Sequence, residues 1–363
     1  MNRNLKLLIV DDSAFIRKIL TNIFSADEDF IKIDTAQNGK SALELVAKND
    51  YDVITLDVEM PILNGIETLK KIMEMKKTPV VMLSSLTTEG ADITLDALEY
   101  GAVDFIAKPQ NIFTVQGERL ANEIKDKVKA VARVNVMSYM RHQNATLDRI
   151  TSNEVETKKQ TPFQKTASGD IVKKIIAIGT STGGPRALHE VIPSIKGNIN
   201  APVLIVQHMP KGFTKSLAER LDSFSSLSVK EAEDGELLKN GVAYVAPGGL
   251  QMKITSVDKD KFKINLENSA PVNGHKPSVD AMMESVSQSK VDEVVAVIMT
   301  GMGGDGANGL AKLKDVKRAV TIAEDESTCV VFGMPKVAIQ TGKVDKVLPL
   351  REISREINKI MGV

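Results

Sequence analysis

Cysteine is almost missing from this chain. Cys329 is the only one in 363 residues, so no intramolecular disulfide can form and a reducing compartment is expected. Long apolar runs are missing too. The start, MNRNLKLLIVDDS, has only Leu7–Val10 before two aspartates, which is too short and too acidic for a secretory signal. No run approaches the ~20 apolar residues that cross a bilayer. A cytoplasmic protein without membrane insertion is therefore expected. Charge of one sign is nowhere concentrated: the 47 basic and 47 acidic residues cancel. Residues 1–125 hold 14 Lys and Arg against 20 Asp and Glu, while 126–170 and 171–363 are each +3. No segment has the basic density that nucleic-acid phosphates demand, so no nucleic-acid partner is expected.

What is present is an average globular composition, 42% hydrophobic and 26% charged, at a length that suits two domains. In residues 1–125, strands are expected at Leu5–Val10, Ile31–Asp34, Val53–Leu56, Val80–Leu83 and Val103–Ile106, with helical patterns between them. Five β/α repeats imply a parallel sheet covered on both faces, with ligands bound beyond the carboxyl ends of its strands. Those ends carry Asp11 and Asp12, Asp57, and Ser84, and a fourth leads to Lys108. Carboxylates gathered with one lysine repel one another unless a cation sits among them, and oxygen donors alone suit Mg²⁺. The bland alternative makes Asp11 and Asp12 helix caps and Asp57 a loop start.

Taken in order through ITLDVEMPILNG and AKPQ, this set resembles a response-regulator receiver domain. The resemblance implies that Asp57 accepts a phosphoryl group, with a chemotaxis histidine kinase as donor. Asp11 and Asp12 would hold Mg²⁺ with Asp57 and the Glu59 carbonyl. Ser84 and Lys108 would sense the phosphoryl group, and Phe105 would be the switch aromatic. From about Asp126 the pattern loosens into a helical exit and then a polar linker to residue 170, where His142 reads as a solvated linker residue.

The stretch IIAIGTSTGGP, Ile175–Pro185, opens the second half. A buried strand breaks at Gly179 and presents Ser181 before two glycines and a helix-opening proline. That places a hydroxyl among free N–H groups at a helix N-terminus, a setting for a nucleophile. Alone, it equally describes a phosphate-cradling loop or a tight βα turn. Further strands are expected at Val203–Val206, Ala243–Ala246, Val294–Met299 and Ala319–Ala323, and helices at Arg186–Ile192, Thr214–Leu221, Val279–Val286 and Gly306–Lys314. An antiparallel hairpin, Gln251–Thr255 with Lys261–Leu266, is expected at a sheet edge. The whole is α/β: an N-terminal (βα)5 receiver plus a doubly wound, mostly parallel C-terminal domain with that hairpin.

Three strand tips carry Ser181, His208 (VLIVQHMP) and Asp305 (VVAVIMTGMGGDG), the parts for acyl transfer. Only three histidines lie here. His189 falls inside a helix and reads as structural or exposed, and His275, in NGHKPSVD, as a solvated loop residue that could line the cleft. His208, directly after a buried strand, is the best base. Asp305 alone would read as a helix cap, but the glycines around it suggest backbone donors near a reacting oxygen, with the Met302 amide as a candidate. Two other output classes, a nucleotide- or protein-binding module and a DNA-binding one, fit less well. A nucleotide-binding module would want a P-loop lysine pattern, and a DNA-binding one a smaller, basic second half.

GTSTGGP, QHMP, YVAPGG, TGMGGDG and FGMPKVA, in this order and spacing, resemble the methylesterase domain of chemotaxis response regulators. The resemblance covers nearly the whole chain except the linker, which places a receiver over 1–125, a linker over 126–170 and a catalytic domain over 171–363. It implies Ser181 as nucleophile, His208 as base, Asp305 as its orienter and Met302 as an oxyanion amide. It implies demethylation of glutamyl methyl esters on methyl-accepting chemotaxis receptors, with methanol released, and glutamine deamidation as a second activity. No cofactor is implied for the esterase chemistry. Relatives often carry a histidine shortly after the APG turn where this chain has Gln251, so Gln251 receives no catalytic role. Cys329 reads as a small packed residue.

Overall fold

The structure, a computed structural model, describes residues 4–108, 115–134, 136 and 171–363. The linker beyond residue 136 and His142 lie outside the described residues. The first unit alternates β1 (Leu5–Val10), α1 (Ala14–Ser25), β2 (Phe30–Ala36), α2 (Gly39–Lys48), β3 (Val53–Asp57), α3 (Gly65–Met75), β4 (Val80–Ser84), α4 (Thr88–Glu99), β5 (Asp104–Ala107) and α5 (Val115–Val131). Its five strands are all parallel in the order β2-β1-β3-β4-β5. β3 and β4 are buried at every residue because helices cover both faces, which is why they read as unbroken apolar runs. The helices start where their caps say. Ser13 Oγ accepts the Ile16 N–H to open α1, so Asp11 and Asp12 are not caps, and Asn38 and Ser41 form a reciprocal capping box on α2.

The second unit runs β6 (Lys174–Thr180), α6 (Gly184–Val191), β7 (Val203–Gln207), α7 (Phe213–Phe224), β8 (Ser228–Glu231), β9 (Val242–Val245), β10 (Gln251–Ser256), β11 (Phe262–Glu267), α8 (Val279–Gln288), β12 (Glu293–Ile298), α9 (Ala307–Val316), β13 (Arg318–Glu324), α10 (Met334–Gln340), β14 (Lys346–Leu348) and α11 (Leu350–Met361). Seven parallel strands lie in the order β14-β13-β12-β6-β7-β9-β8. β6, first in sequence, sits between β12 and β7, so the chain winds one way and then the other from this point. The C-terminal ends of these three neighbours face one crevice. The hairpin β10–β11 is antiparallel as expected, but it forms a separate two-stranded sheet rather than an edge of the large one. Its buried face, Met252, Ile254, Phe262 and Ile264, packs into the cluster beneath α8. That apolar face needs cover, and a solvated sheet edge cannot give it.

The two units touch. Phe105 of β5 and Phe213 of α7 stack with ring centres 4.6 Å apart, tilted by 9°. Arg220 of α7 reaches Asp96 at 2.6 Å and Glu99 at 2.9 Å on α4. Val330 of the second unit packs against the apolar cluster shared by α1 and α5.

Candidate active site

Strand β6 ends by hydrogen-bonding across to its neighbours, and this fixes the Ser181 turn. The Ser181 N–H donates to Thr300 O at 3.0 Å, and Gly184 N–H returns to Ser181 O at 2.8 Å. Gln207, buried at the end of β7, donates from Nε2 to Ser181 O at 2.9 Å and accepts the Thr180 hydroxyl at 2.5 Å. Gly183 has φ +76°, and a Cβ there would lie 2.5 Å from Val330 Cβ, so the turn admits only glycine. Across the turn, a Cβ on Gly301 would meet Ser181 Cβ at 2.8 Å. The glycine-rich loop after β12 therefore lies directly against the serine. In that loop the Met302 N–H donates to no acceptor among the described residues.

His208 follows β7 with its N–H bonded to Thr180 O at 3.2 Å. Its Nε2 lies 2.8 Å from Asp305 Oδ2, and both side chains are nearly buried. Asp305 also accepts the Val279 N–H at 2.7 Å, the Ser278 hydroxyl at 2.8 Å, Asn273 Nδ2 at 3.0 Å and the Asp280 N–H at 3.2 Å. Burial works against the charge, but His208, Asn273 and the Val279 amide outweigh it and hold the carboxyl below the ordinary carboxylate range. An ionised carboxylate can only accept, so the imidazole proton lies on Nε2. In the neutral ring the lone pair is then on Nδ1, which is buried and has no hydrogen-bond partner among the described residues. This is a base whose free nitrogen is set by the tautomer.

In the first unit, Asp11, Asp12 and Asp57 offer oxygens that all lie within 4.8 Å of one another. Lys108 Nζ forms ion pairs with Asp57 Oδ2 at 2.7 Å and Asp11 Oδ2 at 3.2 Å. Burial, reinforced by the Asp11 charge and opposed by Lys108, pushes Asp57 up to about 6, and burial likewise raises Asp11. Two buried carboxylates and an exposed one with no imidazole or thiol form a hard donor set that fits Mg²⁺. Glu59 is exposed beside them, its N–H donating to Asp57 Oδ1 at 3.2 Å. Ser84 points elsewhere: its hydroxyl donates to Ser85 O at 3.1 Å and Gly90 O at 3.2 Å and accepts from Thr94 at 2.7 Å. Phe105 is buried, with its ring stacked on Phe213 of the second unit.

Several residues at the crevice escape a reading by sequence. His275 is not a solvated loop residue: its ring stacks on His208 at 3.8 Å and 7°. Gln251, fully buried, holds that loop in place, donating to His275 O at 2.9 Å and accepting the Ser278 N–H at 2.8 Å. Asp305 does cap a helix, but the cap is on α8, a different element from the helix that follows it. Asp280 returns the favour by accepting the Gly309 N–H of α9 at 2.7 Å. Only the contact between two distant segments reveals either bond. Glu324, buried at the end of β13, had no motif to mark it, and burial pushes its carboxyl up to about 7. His189 is half-buried, packed edge-on against Phe224, and burial pushes it down to about 4. Burial also raises the Cys329 thiol, which leaves it inert.

Fold and crevice together define a receiver joined to a doubly wound α/β unit whose three central strand tips carry serine, histidine and aspartate. The model of the CheB methylesterase family matches residues 176–357, and that of the response regulator receiver domain matches residues 7–125. A protein-glutamate methylesterase/protein-glutamine glutaminase of Geobacillus kaustophilus is 45% identical over 99% of both chains. One of Pyrococcus horikoshii is 43% identical over 100% of this chain and 95% of its own. The crystal structure of the Thermotoga maritima CheB methylesterase catalytic domain is similar with a TM-score of 0.50 and 46% identity, covering 52% of this chain and 98% of that one. The chain belongs to the CheB methylesterase family and carries a receiver domain ahead of the methylesterase unit.

Proposed function

We propose that this chain demethylates glutamyl methyl esters on methyl-accepting chemotaxis receptors in the cytoplasm, under control of phosphorylation at Asp57, and deamidates receptor glutamines by the same chemistry. The observation that carries the reading is the 2.8 Å bond from His208 Nε2 to a carboxylate held ionised, with the His208 N–H donating to Thr180 O, next to Ser181. Ser181 Oγ attacks the ester carbonyl while His208 takes its proton. The imidazolium, stabilised by Asp305, returns the proton to the departing methoxide. Water then attacks the acyl-enzyme with His208 again as base, giving glutamate and free serine. The Met302 amide receives the tetrahedral oxyanion, a donor typically worth ~3 kcal/mol. For a glutamine the leaving group is ammonia.

We read residues 1–125 as receiver, 126–170 as linker and 171–363 as catalytic domain. Asp11, Asp12, Asp57 and the Glu59 carbonyl would hold Mg²⁺, which supplies charge neutralisation for phosphoryl transfer from a chemotaxis histidine kinase. Phe105, Ile124 and Lys127 of the receiver and His208, Met209 and His275 of the catalytic unit line one cavity of about 260 Å³. With the receiver in this position a receptor helix could not lie across His208. Lys108 follows β5, the strand that carries Phe105, and Ser84 ends the neighbouring β4, so a response of this pair to the phosphoryl group would reach the docking contact through β5.

The test is methanol release from a methylated receptor fragment by the full chain, with Mg²⁺ and a small phosphodonor. Wild type should be stimulated by the phosphodonor, Asp57→Asn should lose the stimulation, and Ser181→Ala should release no methanol while still binding the fragment. Near-normal turnover by Ser181→Ala would refute the mechanism.

A further inference from the structure

Glu324 closes β13, and its carboxyl is fully buried. Removing a carboxylate from water is costly unless its oxygens are bonded or paired with a cation. Hydrogen bonds from Thr300, Thr328 and Cys329 offset part of the burial, and the nearby Glu190 charge adds to it. Both oxygens accept. Oε2 takes the Thr300 N–H at 2.8 Å, and Oε1 takes the Thr328 hydroxyl at 3.0 Å. Thr328 Oγ1 in turn accepts the Leu350 N–H at 3.0 Å, so the far side of the carboxyl is tied to the start of α11.

Thr300 is where the parts of the site meet. Its carbonyl accepts the Ser181 N–H at 3.0 Å, and its hydroxyl donates to Thr182 O at 2.9 Å. The same hydroxyl accepts the Val331 N–H at 3.0 Å, joining the loop before α10. The next two residues are Gly301, against Ser181 Cβ, and Met302. One threonine thus sets the backbone of the nucleophile turn at two points and leads straight into the oxyanion loop, and its own N–H is anchored by Glu324. Without that anchor the Thr300 N–H is buried and unsatisfied, and the peptide must turn to find another acceptor. Displacements of about 1 Å between reacting groups are enough to cost about a hundredfold in rate.

We propose that Glu324 is a positioning residue for the acyl-transfer step: by fixing Thr300 it holds the Ser181 hydroxyl in register with the Met302 amide, without touching substrate. This rests on the reading of Ser181 as nucleophile. The carboxyl acts as an acceptor, so an amide at the same place should serve nearly as well, since its carbonyl oxygen can still take the Thr300 N–H while its NH₂ donates to Thr328 Oγ1. A thioether of the same length cannot, and a side chain one carbon shorter reaches one partner only.

The experiment is steady-state methanol release by the full chain with Mg²⁺ and phosphodonor, comparing Glu324→Gln, Glu324→Asp and Glu324→Met. Glu324→Met should lower kcat by about thirtyfold or more with KM within about twofold, because the docking surface is untouched. Glu324→Asp should fall in between, and Glu324→Gln should recover kcat to within about threefold of wild type. A purely structural role would move the melting temperature and the active fraction, but would not be rescued in kcat by the amide. Should Glu324→Met fail to fold, Glu324→Asp carries the comparison. Wild-type kcat in the Asp or the Met variant, or a Gln variant as slow as Met, overturns the proposal. Ser181→Ala run alongside separates the two readings. If it turns over, the nucleophile assignment fails; if it is dead while Glu324→Met is fully active, only the positioning role fails.

Discussion

At the scale of single residues, the chemistry depends on which carboxyls stay ionised. Asp305, in the loop after β12, and Glu324, at the end of β13, are both buried acids, yet their affinities for protons are displaced in opposite directions. Asp305 has an imidazole partner and the first amides of α8, and its pKa falls. For Glu324, burial outweighs the hydrogen bonds from Thr300, Thr328 and Cys329, and its pKa rises to about 7. In the folded state Glu324 therefore holds its proton more tightly than in the unfolded chain. Its contribution to stability is greatest below about pH 4.5 and is lost as pH rises toward 7. Glu324→Gln should be insensitive to this, so its advantage over wild type in melting experiments should grow between pH 5 and pH 8, by up to about 3 kcal/mol. Equal differences at both pH values would mean that the carboxyl is not desolvated as described. For Asp305→Asn, which leaves the capping geometry but removes the charge facing His208, kcat should fall by about 10³–10⁴ with the fold retained.

At the scale of elements, the crevice is built where three parallel strands end together and glycine lets the loops approach. Gly301 is one such point, since a Cβ there would collide with Met334 and with Ser181 Cβ. Gly301→Ala should push the nucleophile turn and Met334 apart and lower kcat by about a hundredfold, with little change in receptor binding. A crystal structure with Ser181 unmoved and normal turnover would contradict that account. Legibility in the sequence follows the same lines. β6, β7 and β12 were readable because a strand buried on both faces is an unbroken run of Val and Ile, and each ended in Gly or in a polar residue. The short β8 and β14 gave weaker signals, since three or four residues set no period, whereas α11 carries Leu350, Ile353 and Ile357 at helical spacing and is legible, though not among the expected elements. The hairpin was visible by its alternation, but the face that it covers was not.

At the scale of the whole molecule, function depends on how the two units meet. The Arg220 contacts to Asp96 and Glu99 involve half-exposed acids, so they contribute only about 1 kcal/mol. The buried Phe105–Phe213 stack adds about 1 kcal/mol beyond the area it covers. Such a docking is weak enough for a phosphoryl group to overturn, because about 1.4 kcal/mol shifts a two-state balance tenfold. Arg220→Ala should raise activity without phosphodonor several-fold and shrink the stimulation by it. Removal of residues 1–140 should raise it further. Unchanged basal release in both would mean that the receiver works by assembling the site instead of covering it.

The sequence alone determined the class of the fold, the order of its units, and the three strand tips bearing Ser181, His208 and Asp305. These are local properties: burial on two faces, a glycine break and a chemically distinctive side chain at each break. Only the tertiary structure decided that His275 lies on His208, that Gln251 secures that loop, that Asp305 caps α8, and that Glu324 anchors Thr300. It also decided that Phe105 and Arg220 join the two units. Each of these is a contact between segments far apart in the chain. A side chain's neighbours across such a distance are set by how strands are ordered in the sheet, and strand order leaves no mark on the residues beside it.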